Sequence, residues 1–390
     1  MRHVPSRRSI RKPQPSSLPS LSQSRLLPSE HGSIGSWRFP AEWEPHAATW
    51  LAWPHRAEDW PGKMAAIHWV YGEIVRKLVD GEQVRILVNS ALHEKRARRV
   101  LERVGVDRAR YECFRIPTNR SWTRDYGPMF LECVEQSGTV AIVDFRFNGW
   151  ARYPDWQKDD AVPRRVAARL NLPVITAMFE GRHVVLEGGS IDVNGRGTLI
   201  TTEECLLDTR VQARNPELTK RDLERIFRSY LGATNVIWLG RGICGDDTHG
   251  HVDDVCRFVG ARKVVLCREE NPRDENYHAL AENAERLADA RDEAGEKIEV
   301  IPLPMPAPLY FDGQRLPASY ANFYIGNTTV LVPTFNDPHD RNALGILADI
   351  FPDRVVVGIH AVDLVWGLGT IHCLTQQQPC FGAHQQRERS

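Results

Sequence analysis

Apolar positions recur along the chain in one order: a short strand-like run, a polar loop, a stretch with helical spacing and a second strand-like run. In TKRDLERIFRSYL (219–231), Leu223, Ile226, Phe227, Tyr230 and Leu231 share one helix face. Thr219 with Asp222 forms a capping pair at its start. RGTLITTEECLLD (196–208) reads as a strand before this helix, and NVIWLG (235–240) as a strand after it. The order returns four more times. ATWLAWP leads through a helix carrying Ile67, Val70, Tyr71, Ile74, Val75 and Leu78 into QVRILVN, and TVAIVDF leads through KDDAVPRRVAARL into PVITA. KVVLCREENP leads through a helix near 275–291 into KIEVIPLP, and TTVLVPTFNDP leads through NALGILADIF into RVVVGIH.

Extra strands joined by tight glycine turns precede several units, at Gly260 and at Gly326-Asn327, so the repeat is β-β-α-β. Such a unit buries its faces only against neighbours, most simply in a closed ring. The fold class expected is therefore α/β, a five-bladed propeller of pseudo-fivefold ββαβ units around a central site. A doubly wound parallel sheet also alternates strands and helices, but the hairpins count against it. Residues 1–36 are rich in Ser, Pro and Arg and read as a disordered tail. Their prolines oppose the amphipathic helix of a transit peptide. Residues 37–380 form the expected single domain, and 381–390 a second tail.

Composition removes some partners. Lys+Arg and Asp+Glu are both 50, so no net field collects nucleic acid or anionic lipid. No apolar run reaches the ~18 residues of a membrane span. The eight cysteines contain no C-x-x-C pair, which points to free thiols in the reducing cytoplasm.

Chemistry concentrates between the units, in NRSWTRDYGP (119–128), VLEGGSIDVNG (185–195), DDTHGHVDD (246–254) and GLGTIHC (367–373). Loops held by a rigid scaffold can bring such residues to one site. Each also has a plainer reading. Cys373 fits a buried small hydrophobe, His249 and His251 fit local hydrogen bonding, Asp125 a salt bridge to Arg124, and Glu187 the end of a strand. His249-x-His251-x-Asp253 offers metal ligands, but His360 and His372 are scattered singles and no second ligand cluster accompanies it.

Together the segments FPAEWEPHAATWLAWP, SWTRDYGP, EGGSIDVNGRGTLITTEECLL, HGHVDD and IHCLTQQQP resemble the agmatine deiminase and bacterial-type peptidyl-arginine deiminase family of guanidine-modifying penteins. The resemblance spans roughly 38–380 and implies the same five-bladed ring. It also implies Cys373 as nucleophile, His251 as general acid and base, Glu187 as the group orienting His251, and Asp125 and Asp253 as carboxylates gripping a guanidinium. Trp122 is expected to line the substrate channel; Trp43, Trp50 and Trp53 are weighed beside it but suit a core. The expected substrate is a small guanidine, agmatine first, then peptidyl-arginine, then free arginine, for which Arg124 or Arg152 would supply a basic partner.

No cofactor or metal is expected. Relatives often pair, so a homodimer is the assembly in view. Four positions depart from the family pattern: Leu368 and Thr370 in Gly-Leu-Gly-Thr where Gly-Gly-Gly-Asn is typical, His249 where Asp is usual, and Tyr126 in place of a smaller residue. A non-catalytic pentein that only binds a ligand or protein is the alternative from another class.

Overall fold

A computed structural model describes residues 37–136 and 138–380. The expectations for 1–36 and 381–390 lie outside those residues. All five predicted helices form where the spacing places them: Met64–Leu78, Val162–Leu170, Lys220–Leu231, Tyr277–Ala288 and His339–Ile350. Lys220–Leu231 starts at a capping box in which the Thr219 hydroxyl accepts from the Asp222 amide and the Asp222 carboxylate accepts from the Thr219 amide. Gly232 ends it at φ 70°, a left-handed conformation that glycine adopts without a Cβ penalty. Leu223, Ile226, Phe227 and Leu231 are the buried face.

Each helix connects two parallel strands, and the first strand of each pair also has an antiparallel neighbour. Thr198–Thr202 runs parallel to Asn235–Leu239 and antiparallel to Ile191–Val193. Lys263–Arg268 stands in the same way between Glu299–Pro304 and Cys256–Gly260, and Thr329–Thr334 between Val355–His360 and Tyr324–Ile325. Val140–Asp144 repeats the pattern with Val174–Thr176 and Met129–Cys133.

The fifth sheet takes its antiparallel strand from the other end of the chain. His46–Ala52 is parallel to Gln83–Leu87, and its antiparallel partner is Gln376–Pro379. The three glutamines after Cys373 thus order a strand with side-chain ties. Gln377 accepts from Arg124 at 2.7 Å, and Gln378 accepts from Trp50 at 2.9 Å and Arg85 at 2.6 Å. These are separate sheets rather than one doubly wound sheet, and no single closed sheet is found among the described residues.

One expectation needs correction. RGTLITTEECLLD is strand only to Thr202; Glu203–Leu207 is a short helix, capped by the Thr202 hydroxyl accepting from the Cys205 amide at 3.2 Å. Two acids in the first turn suit the positive end of a helix. A further helix, Ala91–Arg103, had not been anticipated; Ser90 caps it, and only Ala97 and Leu101 are buried, so its apolar stripe is thin. No helix among the described residues is long and apolar enough to cross a membrane.

Candidate functional site

Four loops deliver the candidate residues. Asp125 lies in the single-turn helix Thr123–Tyr126, pinned at its start by the Ala52 amide donating to the Thr123 hydroxyl at 2.8 Å. Tyr126 donates from its hydroxyl to the Arg120 carbonyl at 2.7 Å, so its extra bulk is used in holding the preceding loop. Glu187 precedes the turn Gly188–Ser190. His251 is set by Asp246, whose Oδ2 accepts from the Gly250 and His251 amides at 2.8 and 2.9 Å, and Asp253 follows in the turn Val252–Asp254. Cys373 lies in Ile371–Leu374, just before the strand that pairs with His46–Ala52.

These loops converge. The Cys373 sulfur is 3.7 Å from Asp253 Oδ2, His251 Nδ1 is 3.7 Å from Asp125 Oδ1, and His251 Nε2 is 3.8 Å from Glu187 Oε2. Gly189 marks the meeting point, since a Cβ there would stand 2.6 Å from His251 Nδ1, 2.7 Å from Asp125 Oδ1 and 3.1 Å from Asp253 Oδ2. Trp122 closes one side: a Cβ on Gly369 would lie 2.8 Å from its ring and 3.2 Å from the Cys373 sulfur. Trp50 and Trp53 are core residues, and Trp43 is half-buried. All six predicted site residues are buried, Cys373 being the most open at 7%.

The partners differ from the sequence expectation in four respects. Asp125 does not pair with Arg124, which binds Glu42 at 2.9 Å; Asp125 instead accepts from the Gly189 amide at 3.0 Å and the Trp150 indole at 2.9 Å. Glu187 is held first by Arg214 Nε, at 3.2 and 3.3 Å from its two oxygens, so its grip on His251 is the looser contact. His372 is no scattered single. Its Nδ1 meets Asp253 Oδ2 at 2.7 Å and its Nε2 meets Glu42 Oε2 at 2.8 Å, which leaves Asp253 Oδ1 without a hydrogen-bond partner. Lastly, the His249-x-His251-x-Asp253 set is not gathered, because His249 turns to Asp208 at 3.0 Å.

Asn322 also escaped the sequence reading. Its side-chain nitrogen donates to the Cys373 sulfur at 3.2 Å and to Asp254 at 3.0 Å, and its oxygen accepts from the His372 amide at 3.0 Å. Nothing in a lone Asn between apolar residues signals this. Two departures from the family pattern share a backbone property: His249 has φ 64° and Leu368 φ 67°. Gly or Asp adopts that left-handed region more readily.

Charge follows the same division. The buried arginines are paired: Arg124 and Arg257 with Glu42, Arg257 also with Asp192, and Arg214 with Glu187. Asp125 has no arginine, and burial, reinforced by Asp253 and Glu187 against the pull of His251, raises its pKa to about 6. Burial opposes ionisation of Glu187, but Arg214 and His251 prevail and hold it down to about 2. Burial likewise opposes charge on His251, yet Asp125, Cys205 and Glu187 outweigh it and raise its pKa well above the usual imidazole value. The Cys373 thiol is pushed well above the usual range by burial, then by Asp253, Asp254 and Asp125. A carboxylate-rich site of this kind favours an incoming cation, whose charge offsets the carboxylates and eases loss of the thiol proton.

Comparison with known proteins agrees with the architecture. The profile of the Porphyromonas-type peptidyl-arginine deiminase family matches residues 38–379. An agmatine deiminase of Pseudomonas aeruginosa (strain LESB58) is 36% identical over 365 residues, covering 88% of this chain and 95% of that one. The structure of an agmatine deiminase from Enterococcus faecalis superposes with TM-score 0.80 at 31% identity, over 88% of this chain and 96% of that one. An amidinotransferase from Microseira wollei shares the fold alone, with TM-score 0.50 at 11% identity over 88% of this chain and 96% of that one. By its matched length and by the identity it keeps over most of both chains, this protein belongs to the Porphyromonas-type peptidyl-arginine deiminase family, on the mixed α/β pentein fold.

Proposed function

We propose that the protein is a guanidine deiminase that hydrolyses agmatine to N-carbamoylputrescine and ammonia. The observation that carries this reading is the convergence of the His251 imidazole and the Asp125 and Asp253 carboxylates around Gly189, with the Cys373 sulfur 3.7 Å from Asp253 Oδ2. Asp253 Oδ1, which lacks a protein partner, accepts from one guanidinium N–H, and Asp125 accepts from another. Trp122 covers the apolar stem. The Cys373 thiolate attacks the guanidinium carbon, forming a C–S bond, and His251 gives its proton to the departing nitrogen as the C–N bond breaks and ammonia leaves. Water then adds to the thiouronium carbon, and His251 takes its proton. Collapse breaks the C–S bond, releasing the ureido product and the thiolate. Glu187, fixed by Arg214, orients His251. This makes the protein a hydrolase, with the five sheets as blades of one ring over residues 37–380.

Agmatine is preferred because the site residues are buried with Trp122 beside them, which suits a slender chain, and because a 36%-identical relative bears that activity in its name. The family's own name supports peptidyl-arginine as the second reading. Purified protein incubated separately with agmatine, free arginine and an arginine peptide, with ammonia and ureido product measured, decides between them. Turnover is expected with agmatine above the others and lost in Cys373→Ala. No turnover on any guanidine would instead support a binding module.

A further inference from the structure

We propose that Glu187, Cys205 and His251 also form a binding site for a thiophilic divalent cation of the zinc type, and that its occupancy reversibly stops turnover. Cys205 has no part in the chemistry above. It is 1% exposed in Glu203–Leu207, and its sulfur, a ring nitrogen of His251 and a carboxylate oxygen of Glu187 all lie within 4.8 Å of one another. Thiolate, imidazole and carboxylate together form a donor set that zinc accepts, at about 2.0–2.3 Å, which places neighbouring donors roughly 3.3–3.8 Å apart. His251 Nε2 and Glu187 Oε2 are already 3.8 Å apart.

A second observation points to a ligand. Both ring nitrogens of His251 lack a hydrogen-bond partner although the residue is only 1% exposed. Coordination therefore displaces only a ring proton and breaks no hydrogen bond. Arg214 does not obstruct it: only its Nε faces Glu187, while Nη1 and Nη2 donate to the carbonyls of Gln212 and Thr248. A dication held by one carboxylate and one thiolate is locally neutral beside that guanidinium, the Cys205 thiol proton and the His251 Nε2 proton both passing to solvent as the metal–sulfur and metal–nitrogen bonds form. The inhibitory half of the proposal rests on the role given to His251 above, because a coordinated Nε2 can neither give nor take a proton.

The test uses the full chain carrying Cys373→Ser, with Co2+ as probe and Zn2+ as competitor. A sulfur-to-cobalt charge-transfer band is expected, displaced by one equivalent of Zn2+ and lost when Cys205→Ser is added. A band seen in the wild type but absent from Cys373→Ser would assign the metal to Cys373 and overturn the proposal; so would a band that survives loss of Cys205. Zinc X-ray absorption on Cys373→Ser needs no change at Cys205. One sulfur at about 2.3 Å with nitrogen and oxygen at about 2.0 Å is expected, and a shell without sulfur overturns it. In the wild type, Zn2+ should inhibit agmatine turnover reversibly on chelation, and Cys205→Ser should raise the inhibiting concentration at least tenfold. A cobalt band in a protein without any turnover would retain the metal site and reject the deiminase reading.

Discussion

Two buried histidines flank the same pocket in opposite states. His372 has a carboxylate oxygen within 2.8 Å of each ring nitrogen, and its partner Glu42 is anchored in turn by Arg124 and Arg257. His251 is as deeply buried, yet its nearest carboxylates stand at 3.7 and 3.8 Å and neither nitrogen is hydrogen-bonded. A satisfied buried polar group stabilises and fixes its surroundings; an unsatisfied one costs stability and is retained where it has work to do. The contrast teaches that burial and residue type do not distinguish the imidazole proposed as acid and base from its neighbour, whereas the partners do.

The largest expected effect divides the two. His251→Gln should lower kcat on agmatine by ~10³-fold, within the range of general acid–base catalysis, with little change in Tm. His372→Gln should do the reverse, destabilising by about 3–5 kcal/mol as a buried carboxylate loses its partner, and costing activity only ~10-fold. Parallel kinetics and thermal melts check this, and an exchanged pattern breaks the comparison.

Gly189→Ala comes next. Its methyl group would displace His251 or Asp125 from reacting distance, so a loss of ~10²-fold in kcat/KM is expected, with Tm lowered because overpacking of a buried site costs about 1–3 kcal/mol. A fully active variant would show that the site centre lies elsewhere.

The smallest signal comes from the thiol. Burial and the surrounding aspartates raise its pKa, so alkylation of Cys373 by iodoacetamide in the empty protein should be slow at pH 7 and climb beyond the ordinary thiol range. Mass spectrometry of the Cys373 peptide across pH measures it. A rate already at plateau at pH 7 would mean that His251 alone suffices to make the thiolate.

Much of this was legible in the sequence wherever one local rule decides the outcome. Helical spacing located five helices, the Thr219–Asp222 pair located a cap, and the turns at Gly260 and Gly326 located hairpins. The six candidate site residues could be named because their motifs are compact. Their partners could not. Glu42 and His372 are 330 positions apart, and Asn322 is 51 positions from Cys373, so no spacing rule joins them. Cys205 was hidden differently, inside an apolar run that reads as strand until Thr202 is seen to cap a helix.

The strand Gln376–Pro379 lies six residues or fewer beyond Cys373 and pairs with a strand near the amino terminus. The loop that carries the sulfur is therefore held by backbone hydrogen bonds to a strand from the opposite half of the sequence, and whatever parts those two strands also loosens the seat of Cys373.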